Sequence, residues 1–96
     1  MPDHPASGPL PPPARVALDP RAVEIARVWI TSEGQRASLA ADLWDDPAAW
    51  GLMLVDLARQ LADSYAKDQG IDPADALARI REGFDAEWDH PTDAVG

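Results

Sequence analysis

Two histidines, His4 and His90, are the side chains of this sequence best suited to moving protons near neutral pH. His4 lies among prolines. His90 falls at the C-terminal end of an apolar-periodic stretch, where a protonated ring is favoured by the helix dipole. Glu87, Asp89 and Asp93 are close to it in sequence, and with it could hold a metal. Metal sites need rigid support, and this one would lie beside a frayed end. The plainer reading is a helix-terminal residue.

Asp42, Asp45 and Asp46 form an acidic cluster. A carboxylate trio can bind a hard cation through oxygen. The calcium-loop pattern, with its regular acidic spacing, glycine and closing glutamate, is missing. Asp46 stands before Pro47, where an aspartate caps a helix. Trp29, Trp44 and Trp50 could line an aromatic cage, but aromatics at helical or strand spacing are more often core. Trp44 is different, because it lies on a connection and can staple the loop onto the first helical turn. Trp29, Trp44, Asp45, Asp46 and Trp50 are therefore the candidate ligand or partner surface. There is no cysteine nucleophile and no glycine-rich phosphate loop. Ser32, Ser38 and Ser64 have no histidine nearby in sequence, and Ser7 has only His4 of the same proline-rich tail. No catalytic residue, no metal ligand and no cofactor is assigned, and enzyme activity is disfavoured.

These groups need elements to position them. The chain has 96 residues, enough for one domain. Residues 1–15 read as a flexible proline-rich tail, residues 16–91 as a single domain, and residues 92–96 as a loose C-terminus. A core of roughly 70 residues buries only about 60% of the surface its unfolded chain exposes. Without cysteine, neither disulfides nor thiolate-zinc sites can add stability. Tight helix packing or oligomerisation must supply it, and four tryptophans favour both.

Seventeen acidic residues against eight basic ones leave a net charge of −9. No basic patch marks a nucleic-acid surface, and an anionic membrane would repel the chain. A basic protein is the partner such a surface suits. The N-terminus lacks the basic and apolar regions of a secretory signal, and no run approaches a membrane span. A bacterial-type cytoplasm is the expected location.

The tail contains Pro9-Leu10-Pro11-Pro12, a PxxP spacing that a proline-reading domain could bind. A solvated tail is the plainer reading. Beyond it, Asp-Pro occurs at Asp19-Pro20, Asp46-Pro47 and Asp72-Pro73. The aspartate accepts from free first-turn amides, and proline at the first helical position loses nothing by lacking an N–H. Three helix starts are signalled. The first is ambiguous, because residues 25–31 are rich in β-branched and aromatic residues. Ser32-Glu33-Gly34 then reads as a turn, giving a β-hairpin with strands at 25–31 and 35–40. The competing reading is a helix over 20–30.

The second start opens a helix over 47–67. Trp50, Leu54, Leu57, Leu61 and Tyr65 recur on one face, widened by Met53, Val55, Ala58 and Ala62. A narrow polar stripe predicts a central helix covered on more than one side. Gly51 inside it costs about 1 kcal/mol against alanine, which close approach of a neighbouring backbone would explain. Gly70 ends this helix. Asp72-Pro73 starts the next, where Leu77, Ile80, Phe84 and Trp88 form a narrower stripe. Asp63–Lys67 and Asp75–Arg79 have ion-pair spacing. His90-Pro91 ends the second long helix.

Val28-Trp29-Ile30, then Leu43-Trp44-Asp45-Asp46-Pro47-Ala48-Ala49-Trp50-Gly51-Leu52, then Leu54-Val55-Asp56-Leu57-Ala58 follow in an order that resembles a family of short bacterial proteins described as a domain of unknown function. Ala78-Arg79-Ile80-Arg81 and Phe84-Asp85-Ala86-Glu87-Trp88 extend the resemblance, which covers most of residues 16–93. It implies a small α+β cytoplasmic protein and supplies no activity.

The expected fold is α+β, a small hairpin packed on two antiparallel helices. A two-stranded ribbon is marginal alone. Pairing of hairpins or central helices across a two-fold axis would cover the excess apolar surface, so a homodimer is expected. The function expected is a non-enzymatic interaction or adaptor module. The alternative is a small-ligand binder or minor enzyme with a pocket near Trp44 and Trp50. A weaker alternative is an acidic mimic of nucleic acid.

Overall fold

A computed structural model describes residues 8–92. His4 and Asp93 fall outside them. The order of elements is a one-turn helix α1 (Ala14–Ala17), strands β1 (Ala26–Thr31) and β2 (Gly34–Leu39), and helices α2 (Ala48–Gln69) and α3 (Pro73–Asp89). The architecture is α+β. The chain divides into two compact units, Met1–Leu43 and Trp44–Gly96.

In the first unit, Pro9 to Pro13 is exposed and without regular structure, and α1 follows directly. Asp19 Oδ1 accepts from the Arg21 N–H at 2.8 Å. Here the Asp-Pro signal closes only a turn, with the Ala22 N–H donating to the Asp19 carbonyl. The next residues are β-branched and aromatic, which suits a pleated ribbon better than a continued helix. β1 and β2 pair antiparallel, with Val28 opposite Ala37, Trp29 opposite Arg36 and Ile30 opposite Gln35. The hairpin reading of this segment is the one that holds.

Alternation puts Ala26, Val28, Ile30, Ala37 and Leu39 on one face of the ribbon. The Ser32-Glu33 turn closes onto Gly34, whose φ of +116° is a conformation that a β-carbon would strain. The Thr31 hydroxyl fastens the turn, donating to the Gly34 carbonyl at 2.7 Å and accepting from the Glu33 N–H.

In the second unit both remaining Asp-Pro pairs open helices. Asp46 Oδ1 accepts from the Ala48 N–H at 3.0 Å, and Asp72 Oδ1 from the Ala74 N–H at 2.8 Å. Gly70, at φ +69°, ends α2 in the left-handed conformation and donates its N–H to the Ala66 carbonyl. So short a link returns α3 antiparallel against α2.

The contact between them is built on alanine. Ala62 and Ala76 are the buried hydrophobic residues among those described. Ala58 and Ala66, one turn to either side of Ala62, are half-buried, as are Leu77 and Ile80. Small side chains let two helix axes approach closely. The larger residues of α2 lie elsewhere: Leu54, Leu57, Leu61 and Tyr65 are all exposed. Within this unit, where the sequence predicts a helix covered on several sides, α2 is covered on one side by α3. α2 has two apolar faces, and α3 takes the alanine one. Gly51 has nothing of this chain within 4 Å of where a β-carbon would stand, so no backbone of the same chain accounts for it.

Charge pairing also departs from the spacing rule. Arg79 pairs forward with Glu82 at 2.7 Å instead of back with Asp75. Arg81 pairs with Asp85 at 3.0 Å. Both pairs are solvent-exposed and contribute little to stability.

Candidate functional site

The entrance to α2 brings three of the five candidate residues together. Asp46 caps the helix, which leaves Trp50 in the first turn. Trp44, two residues before the cap, folds back so that its ring meets that of Trp50 edge-on, with centroids 5.2 Å apart and planes at 76°. This geometry sets the positive edge of one ring against the negative face of the other. Both rings are half-buried, as are Ala49 and Met53. Trp44 therefore staples the incoming loop to the helix. Asp45 and Asp42 are exposed. Trp29 is placed in β1, opposite Arg36.

The hairpin base carries a shallow, open depression of about 240 Å³ lined by Glu24, Ile25, Ala26, Arg27, Ser38, Leu39 and Ala40. Its cation is already engaged. Arg27 donates through Nε to one Glu24 oxygen and through Nη2 to the other at 3.1 Å. That hydrogen-bonded guanidinium holds the Glu24 carboxyl below its ordinary range, and Glu24 in turn raises Arg27.

At the end of α3, the His90 N–H donates to the Ala86 carbonyl. Glu87 turns to the chain beyond: it accepts the Thr92 hydroxyl at 2.8 Å and the Thr92 N–H at 2.6 Å. Among the described residues no group of three or more acidic or histidine side chains is placed to hold a metal.

The two bonds from Thr92, the hydroxyl first, hold the Glu87 carboxyl below its ordinary range. A carboxyl lowered on folding stabilises the fold above its unfolded pKa. That contribution is lost as pH falls through the lowered value. The Thr92 clasp is therefore complete at neutral pH and released in acid. Carboxyl titration by NMR should show the Glu87 midpoint rising toward the ordinary value in Thr92→Val, which keeps only the N–H. An unchanged midpoint would mean the hydroxyl bond does not form.

The residue types at the α2 entrance pointed to Trp44, Trp50 and Asp46. The Leu54, Leu57, Leu61 and Tyr65 stripe, expected as one face of a central helix with apolar surface to cover, is exposed, because the same periodicity describes a core face and a face left for a partner. Phe84 and Trp88, expected on the stripe by which the second long helix covers the first, are exposed and stacked with centroids 5.6 Å apart.

No helix among the described residues is long and apolar enough to cross a membrane. No curated protein matches the chain. Among solved structures, one described as "Structure of a putative pyruvate dehydrogenase from the photosynthetic bacterium Rhodopseudomonas palustrus CGA009" is similar to it. The two are 37% identical over 94% of each chain, with a TM-score of 0.68. The family model described as Domain of unknown function (DUF5076) matches residues 9–92, a span that takes in the hairpin, the Trp44 staple and both long helices, and the chain belongs to that family.

Proposed function

We propose that this protein is a non-enzymatic interaction module that works as a homodimer and offers an acidic surface to a basic partner. One observation carries the reading. The buried hydrophobic residues among those described are two alanines, while Leu54, Leu57, Leu61, Tyr65, Phe84 and Trp88 stay exposed. These six large side chains leave in water apolar surface whose burial against a second copy is favourable. Association supplies the missing burial. The net charge of −9 then remains on the outside of the assembly, where it favours a basic protein and disfavours nucleic acid and anionic membranes.

The test is the dependence of thermal stability on protein concentration, with light scattering on the same samples. A homodimeric module melts at higher temperature as concentration rises, by mass action. A monomer with a concentration-independent midpoint would overturn the reading.

Similarity to a structure described as a "putative pyruvate dehydrogenase" favours a second reading, a ligand-binding or enzymatic role toward a small 2-oxo acid. A free cation in a pocket would support it. Arg27 in the hairpin depression is instead neutralised by Glu24. Titration calorimetry with pyruvate decides between the two: heat of binding lost in Arg27→Gln would favour the second.

A further inference from the structure

We infer that α2 pairs with α2 of a second copy, antiparallel, about a two-fold axis beside Leu57 and Ala58. This inference rests on the self-associating reading above and names the surface that performs it.

The stripe is self-complementary. α2 runs Ala48–Gln69, so its midpoint falls between Ala58 and Arg59. About an axis between Leu57 and Ala58, Leu54 comes opposite Leu61 of the partner subunit, and Trp50 comes opposite Tyr65 of the partner subunit. An isologous contact requires this kind of reversal symmetry. The spacings of four, three, four and four along the stripe suit the shallow crossing of packed helices.

Within the helical unit the face is also vacant, and its five stripe positions are uncharged. α3 already occupies the alanine face, and at about 100° per residue Leu61 points well away from Ala62. No Asp, Glu, Lys or Arg lies among the five stripe positions; Asp68 continues their line only past Tyr65, and Asp56, Arg59 and Asp63 fall on the far side of the helix. In a chain of net charge −9, two copies meet there with the least repulsion. The area is sufficient. Four side chains between 43% and 53% exposed leave on the order of 100 Å² each. With Trp50 and the flanking atoms, a two-fold contact reaches about 1,000 Å², the lower bound for a specific interface.

The absence of cysteine makes the geometry directly testable in the full chain. Single variants Leu57→Cys, Leu54→Cys and Leu61→Cys are oxidised gently, alone and mixed. Leu57→Cys should give a covalent dimer by itself. Leu54→Cys should link to Leu61→Cys in a mixture, and neither should link to itself. Leu57→Asp should weaken self-association about 100-fold, as loss of a central contact does, with helix content kept. Self-linking at Leu54 and Leu61 would overturn the antiparallel arrangement. A dimer by light scattering with no link at any of the three sites would overturn this surface while leaving the homodimer reading intact. A strictly monomeric wild type would overturn both. In a monomeric double variant, an intrachain link from Leu57→Cys to Val28→Cys would show the protein's own hairpin to be the occupant.

Discussion

Ala62→Asp is expected to unfold the helix pair, whereas Leu61→Asp, one residue away, leaves it folded. Ala62 is 2% exposed and lies where α2 meets α3. A carboxylate there loses its water, and the surrounding Ala58, Ala66, Ala76 and Ile80 side chains offer it no donor. Burying an unpaired charge costs several kcal/mol even after the site relaxes. Small domains have little more than that in total. Leu61 is 53% exposed in the single chain, so aspartate there stays hydrated in the monomer and its cost falls on self-association. Far-UV circular dichroism with a urea titration reads both variants. A cooperative transition in Ala62→Asp within about 1 kcal/mol of wild type, well inside the cost of burying a charge, would show that this contact does not hold the helices together.

Trp44→Ala is expected to cost about 2–3 kcal/mol, and part of that loss is shared with Trp50. Removing the ring exposes apolar surface on Trp50 and forfeits the edge-to-face pair, worth about 0.5–1.5 kcal/mol beyond area burial. The Asp46 cap stays, so α2 still begins, but its entrance loses the staple that fixes the loop. Urea unfolding of Trp44→Ala, Trp50→Ala and the double variant measures the coupling between the rings. Near-UV circular dichroism follows the loss of the asymmetric tryptophan pair. Strict additivity would mean the rings do not touch in solution. An unchanged stability with a ligand response abolished would turn the α2 entrance into a pocket and favour the ligand-binding reading.

Both predictions concern contacts made by small or unexpected residues. The dominant signal in α2 is its leucine stripe. Within the helical unit the stripe is the face that α3 leaves vacant, and Ala58, Ala62 and Ala66 make the packing. Hydrophobic periodicity reports which residues avoid water, without saying which neighbour removes them from it. Leucine can serve a partner helix from the same chain or from another copy. Alanine serves a close helix approach, but in a sequence it looks like a neutral helix former.

The sequence alone determined the local features of this protein. Three aspartates before prolines accept from the N–H two residues on, and the second and third of them open helices. Gly34 and Gly70 take the positive φ their turns demand, and the β-branched run before Ser32 forms a strand. Each follows from interactions within a few residues, where stereochemistry and capping are decisive. Only the tertiary structure decided that Trp44 meets Trp50 edge-on and that α3 docks on alanine. Those choices depend on how closely two helices approach and which rotamers remain open. Several pairings of similar energy are compatible with the same pattern of residues, and packing in three dimensions selects among them.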